Sequence, residues 1–81
     1  MKVRVQFFSH LKDIAGGSET IVDVPEGASV ADLLGLLYEQ HPKMREWDSS
    51  ILVGAGVEFV GRGQAIKEGD EIAIMPPVQG G

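Results

Sequence analysis

Cysteine is missing from all 81 residues. That excludes disulfide staples, thiolate metal sites, cysteine nucleophiles and cysteine persulfides. No apolar run approaches the roughly 18 residues of a membrane span, and no signal peptide opens the chain. The expected location is therefore cytoplasmic, with no membrane partner. Basic residues are few and scattered: Lys2, Arg4, Lys12, Lys43, Arg45, Arg62 and Lys67. They make no stripe that could follow a phosphate backbone, so no nucleic-acid partner is expected. The net charge of −5 suits encounter with a basic protein surface, or simply keeps a small protein soluble. Histidine is almost as scarce. His10 and His41 stand far apart with no third ligand at metal spacing, so no metal is expected.

What is present fits one small domain. A chain of this size buries only about 60% of its unfolded surface, so the core is thin. Its apolar share of 43% is ordinary for a folded protein. "KVRVQFF" alternates, with Val3, Val5 and Phe7 pointing one way, and reads as a half-buried strand. "SHLKDIAGG" has room for one helical turn. "ETIVDV" is a second strand with Val22 and Val24 inward and Ile21 outward, closed by Pro25 and Gly27.

The firmest local signal is "SVADLLGLLYEQHP". Ser29 and Asp32 match a capping box. Val30, Leu33, Leu34, Leu37 and Tyr38 recur on one helical face, and Pro42 stops the helix near Gln40. Gly35 costs about 1 kcal/mol there and is simply tolerated. "MREWDSS" reads as loop, with Trp47 a packing residue. "ILV" and "VEFV" are short strands around Gly54-Ala55-Gly56, and "GRG" turns the chain. A Gly69-Asp70 turn precedes a last strand with Ile72 and Ile74 inward. Two hairpin-like halves straddling one helix indicate an α+β layout, a sheet wrapped over that helix. The expected core is Val3, Val5, Phe7, Val22, Val24, Val30, Leu33, Leu34, Leu37, Ile72 and Ile74.

No side chain presents itself as catalytic. "GAGVEFVGRG" lacks the third fingerprint glycine and the following helix of a phosphate loop. Serines 9, 18, 29, 49 and 50 have no local nucleophile signature. The tail is different. From Ile72 to Gly81 no side chain ionises. Pro76 and Pro77 cannot continue a ladder and hold the chain extended. From Pro76 to Gly81 the reach is about 20 Å. Gly80 and Gly81 pass where a Cβ would clash, and the one reactive group delivered is the terminal carboxylate. Activated as a mixed anhydride with AMP, it could accept sulfur or be passed to an amine. The acidic surface, with Met75 and Val78, is the expected partner interface.

With "FFSHLKDIAG", "VPEGASVADLLGLL" and "IKEGDEIAIMPPVQGG" in place, the chain resembles the ubiquitin-like sulfur carriers of the β-grasp fold, above all the small subunits of molybdopterin synthase (MoaD-type). The resemblance implies a mixed sheet of four to five strands on one main helix over residues 1–75, and an extended tail over 76–81. It implies adenylation of Gly81 by a ubiquitin-activating-like enzyme that uses ATP, with no cofactor bound by this chain. A sulfur donor would then make a thiocarboxylate. Pro76, Pro77, Val78, Gln79 and Gly80 would enter a tunnel in the large synthase subunit, where sulfur goes into the dithiolene of molybdopterin. The chain departs from the pattern at Lys12, Gly56, Ile74 and Met75, positions that bear on docking. Two alternatives need the same tail: a protein modifier joined through Gly81 to lysines, and a sulfur carrier for thiamine, thiolated tRNA or a tungsten cofactor.

Overall fold

The computed structural model describes residues 1–77. Strand β1 spans Lys2–Phe7, and its alternation is realised: Val3, Val5 and Phe7 are buried. Helix α1, His10–Ala15, follows at once. It ends at Gly16, whose φ of 80° lets its N–H reach back to the Lys12 carbonyl, a closure glycine adopts without a Cβ penalty. Strand β2, Glu19–Asp23, returns antiparallel to β1.

Helix α2, Val30–Gln40, has both halves of its capping box. The Asp32 N–H donates to Ser29 Oγ, and the Ser29 N–H donates to Asp32 Oδ2. The remaining free donors of this helix start, Val30 and Ala31, reach the carbonyls of Gln64 and Arg62, both at 2.9 Å. Every N–H that a helix start leaves open is thereby satisfied, and the irregular segment after β4 is pinned to the helix. Gly35 has open space where a Cβ would stand, in keeping with a merely tolerated glycine.

The stretch Met44–Ser50, expected as loop, belongs instead to a 3₁₀ helix, Pro42–Ser50. Pro42 sits in its first turn, and Met44 drives it inward as one of the most deeply buried residues. A single apolar residue in a polar stretch offers no period from which to read this. Strand β3, Leu52–Ala55, pairs with β4, Glu58–Val60, through a two-residue turn at Gly56-Val57. Gly54 therefore lies inside a strand rather than between two. Strand β5, Glu71–Met75, follows a turn centred on Glu68-Gly69, one residue earlier than expected, closed by the Asp70 N–H on the Lys67 carbonyl.

The sheet order is β2-β1-β5-β3-β4, with β1 and β5 parallel and the other neighbours antiparallel. It is the mixed five-stranded sheet with one main helix of a ubiquitin-like β-grasp fold. All eleven expected core residues are buried in one cluster. Tyr38 joins it from the same face of α2, and Leu11, Ala28, Met44, Ile51, Val53 and Ile66 complete it, each of these six from a short element or a loop whose inward turn depends on the sheet already being present.

Candidate functional site

The tail leaves from the middle of the sheet. β5 is held by β1 on one side and β3 on the other, with Ile74 opposite Phe7 and Met75 opposite Leu52. Pairing runs to the last residue of the strand, and Pro76 and Pro77 follow directly, both half-buried. A central strand is the hardest element of a sheet to displace, so the tail has a fixed root. Val78, Gln79, Gly80 and Gly81 lie outside the described residues.

On the face of the sheet away from α2, register sorts the side chains. Gln6, Ala73, Gly54 and Phe59 fall in one row, and Phe8, Met75 and Leu52 stand beside the tail root. Phe8 is 43% exposed, Phe59 71% and Val57 fully so. Phe8, Phe59, Met75 and Val57 border a groove of about 240 Å³ over a floor of Gly54 and Ala73. A Cβ on Gly54 would come within 3.3 Å of Met75 Cε, so the missing side chain seats the methionine. Met75, expected at the partner interface, is accordingly half-buried. The other half of the face is polar, with Arg4 3.6 Å from Glu71 and Lys2 3.8 Å from Asp23. Such exposed pairs contribute about 0–1 kcal/mol each.

Phe8, Val57, Phe59, Leu52 and Gly54 were not among the expected site residues. Phe8 and Phe59 had a signal: each sits on the outward phase of its strand, where an aromatic is out of place. The sequence held no sign that sheet order would bring them together.

Away from the tail, three side chains form a clasp. The Tyr38 hydroxyl donates to Asp48 Oδ1, and Arg62 Nη1 donates to the same oxygen at 2.8 Å. Arg62 Nη2 also reaches the carbonyls of Asp48 at 2.6 Å and Ile51 at 3.3 Å. Burial, then the bond to Asp48, pushes the Tyr38 hydroxyl well above its ordinary value. The bonds from Tyr38 and Arg62 hold the Asp48 carboxyl below its own. This chemistry fastens the 3₁₀ helix to α2 and to the turn after β4. His10 and Trp47 pack as tilted rings, 53° between planes, with centroids 4.2 Å apart, so both serve packing between α1 and the 3₁₀ helix. Among the described residues no three His, Asp or Glu side chains are placed to hold a metal, and no helix is long and apolar enough to cross a membrane.

The ThiS family model matches residues 5–81. The molybdopterin synthase sulfur carrier subunit of Chlamydomonas reinhardtii is 33% identical over 84 residues, covering 100% of both chains. Small archaeal modifier protein 1 of Haloferax volcanii is 34% identical over 84 residues, covering 94% of this chain and 97% of that protein. The crystal structure of that modifier superposes with a TM-score of 0.86 at 34% identity over 100% of both chains.

Proposed function

This chain belongs to the ThiS family of ubiquitin-like proteins, and from that membership we propose that it is a sulfur carrier that works through Gly81. The observation that carries the reading is that the family match runs on to residue 81, taking in the tail as well as the domain. A terminal carboxylate oxygen attacks the α-phosphorus of ATP held by an activating enzyme, and pyrophosphate leaves. A sulfur donor then displaces AMP from the acyl carbon, giving a thiocarboxylate. The acceptor is the pterin precursor of molybdopterin, bound in a large partner subunit that takes up residues 76–81. The partner rests on the apolar half of the sheet face, because any protein that engulfs the tail must lie against Phe8, Met75 and Leu52 at its root. The acidic balance of the chain suits a basic partner surface and speeds the encounter. The chain's own contribution is delivery and positioning: a fixed root, a stiff proline pair, and glycines that fit a narrow passage.

The likeness to small archaeal modifier protein 1 favours a second reading, in which the same acyl adenylate passes to a lysine amine of another protein. Both readings need the adenylate and differ in what receives the acyl or sulfur group.

The test uses deletion of Gly81 and, separately, one residue added after it. Deletion withdraws the carboxylate by about 3.5 Å, and extension buries the acyl position in a peptide bond. Both variants should fold normally and lose ATP–pyrophosphate exchange with the activating enzyme. By intact mass, the wild type should show replacement of one carboxylate oxygen by sulfur, and the variants should not. Near-normal exchange by either variant would refute the carrier reading. Lysine-linked adducts without thiocarboxylate would move the assignment to the modifier.

A further inference from the structure

We propose that the open edge of β2 takes up an extended strand of another protein, one carrying an apolar residue and, two places after it, a basic residue. The ladder defines this edge. The Phe7 N–H donates to the Ser18 carbonyl, and the Val24 N–H donates to the Met1 carbonyl, both at 2.8 Å. Bonded pairs alternate along an antiparallel ladder, so Ser18, Thr20, Val22 and Val24 turn their backbone groups toward β1. Glu19, Ile21 and Asp23 turn theirs outward. Among the described residues nothing bonds to these three N–H groups or three carbonyls.

Natural sheets blunt such an edge with proline, a bulge, charge or a covering element. β2 has no proline, and its register with β1 runs unbroken from Asp23 opposite Lys2 to Glu19 opposite Gln6. It stands first in the sheet order, with no strand on its outer side. Its guards are the charges of Glu19 and Asp23, and a charge guards selectively: it turns away one sign and attracts the other. The opposite edge is a poorer template. β4 is three residues long, and the same alternation leaves only Phe59 facing outward.

The side chains of the edge specify the occupant. Ile21, β-branched and 55% exposed, stands at its centre. Asp23 is shared by the Met1 ammonium at 3.4 Å and Lys2 at 3.8 Å, whereas Glu19 forms no ion pair among the described residues. An added antiparallel strand sets one residue opposite Ile21 and the residue two places later opposite Glu19. Apolar and opposite-charge pairs stabilise such positions, and like charges directly opposite destabilise them. An apolar residue followed two places on by Lys or Arg therefore fits. A second copy of this chain does not, because two-fold pairing about Ile21 sets Glu19 against Asp23 twice. Backbone bonds supply the affinity of such an added strand, and alternate side chains supply its selectivity. β1 separates β2 from β5, so the edge lies about 10 Å to the side of the strand that carries the tail. The site rests neither on Gly81 nor on the sheet face beside the tail root.

The test titrates the full chain with the peptide acetyl-Lys-Thr-Val-Thr-Arg-amide to about 1 mM and follows amide hydrogen exchange by NMR. In the free protein the amides of Glu19, Ile21 and Asp23 should exchange rapidly, and those of Thr20 and Val22 slowly. Bound peptide should slow the first three at least about tenfold. N-methylation of the peptide's Lys, Val and Arg, whose N–H groups face the edge, should abolish binding. N-methylation of its two Thr, whose N–H groups face away, should leave binding within about threefold. Glu19→Lys should weaken binding about tenfold at low salt and less at high salt, with the urea midpoint unchanged. Edge amides that stay fast in 1 mM peptide overturn the proposal. Binding that ignores which amides are methylated also overturns it, since charge attraction alone behaves that way. Protection that grows with protein concentration in the absence of peptide would name a second copy as the occupant and reject the basic strand. Loss of the carrier reading leaves a protected edge standing, and an unprotected edge leaves the carrier reading untouched.

Discussion

The backbone N–H of Phe8 donates to the carbonyl of Ile74 at 3.1 Å. This bond carries β1–β5 pairing one residue past the end of β1 and fastens the strand just before the tail. The next residue, Ser9, must then turn the chain into α1, and it does so at φ 53° and ψ −137°. Glycine adopts that conformation freely and other residues adopt it at a cost of about 1–3 kcal/mol. Ser9 makes no side-chain capping bond, so replacing it loses little. Ser9→Gly should stabilise the domain by roughly 1 kcal/mol, after the glycine's extra unfolded-state entropy is set against the relieved strain. An equilibrium urea titration measures it, and a lower midpoint would show that the strain is absent.

Leu34 lies on the buried face of α2, at 1% exposure. Leu34→Ala should cost roughly 2–5 kcal/mol, from lost transfer free energy and the cavity left behind. That is a large share of the stability of a small domain. A loss under about half a kcal/mol in denaturant unfolding would mean that the core closes around the gap far more readily than close packing allows.

The clasp gives stability a dependence at both ends of the pH range. The Tyr38 hydroxyl is held above its ordinary 10.0 by burial and by Asp48. A raised value contributes stability in full below pH 10, and that contribution is lost as pH climbs past it. The Asp48 carboxyl is held below its ordinary 3.8 by Tyr38 and Arg62. Its contribution is present above that value and fades as pH falls through the lowered one. Asp48 is half-exposed, which keeps the acid effect small. Tyr38 is the sole tyrosine, so absorbance titration reads it directly. Its midpoint should lie above that of the urea-unfolded chain, and equal midpoints would dissolve the clasp.

Arg62 holds a carboxylate and two carbonyls at once, a planar fork that lysine cannot reproduce. Arg62→Lys should cost about 1–2 kcal/mol. Lys2→Ala, at an exposed pair, should change stability by less than about 0.5 kcal/mol. Comparable shifts in the two urea midpoints would place Arg62 among ordinary surface cations.

The periodic elements were legible because period is a local property. Val3, Val5 and Phe7 declare a strand by alternation, and Val30, Leu33, Leu34 and Leu37 declare a helix face. Ser29 with Asp32 marks the helix start, a bond between neighbours three residues apart. The proline pair and the glycines that follow it announce a tail for the same reason, since stiffness and the lack of side chains need no partner to be read. Tertiary structure alone decided what sits next to what. Met44 turned a polar stretch into a 3₁₀ helix because a buried space awaited it. Arg62, one scattered cation among seven, found Asp48 only once α2 and the turn after β4 were packed. Phe8 is separated from Gly54 and Phe59 by dozens of residues, and the pairing of β5 with β1 on one side and β3 on the other makes them one face. Contacts of that kind follow from strand order, and strand order is settled by the burial of the whole sheet against α2, which no short stretch of sequence contains.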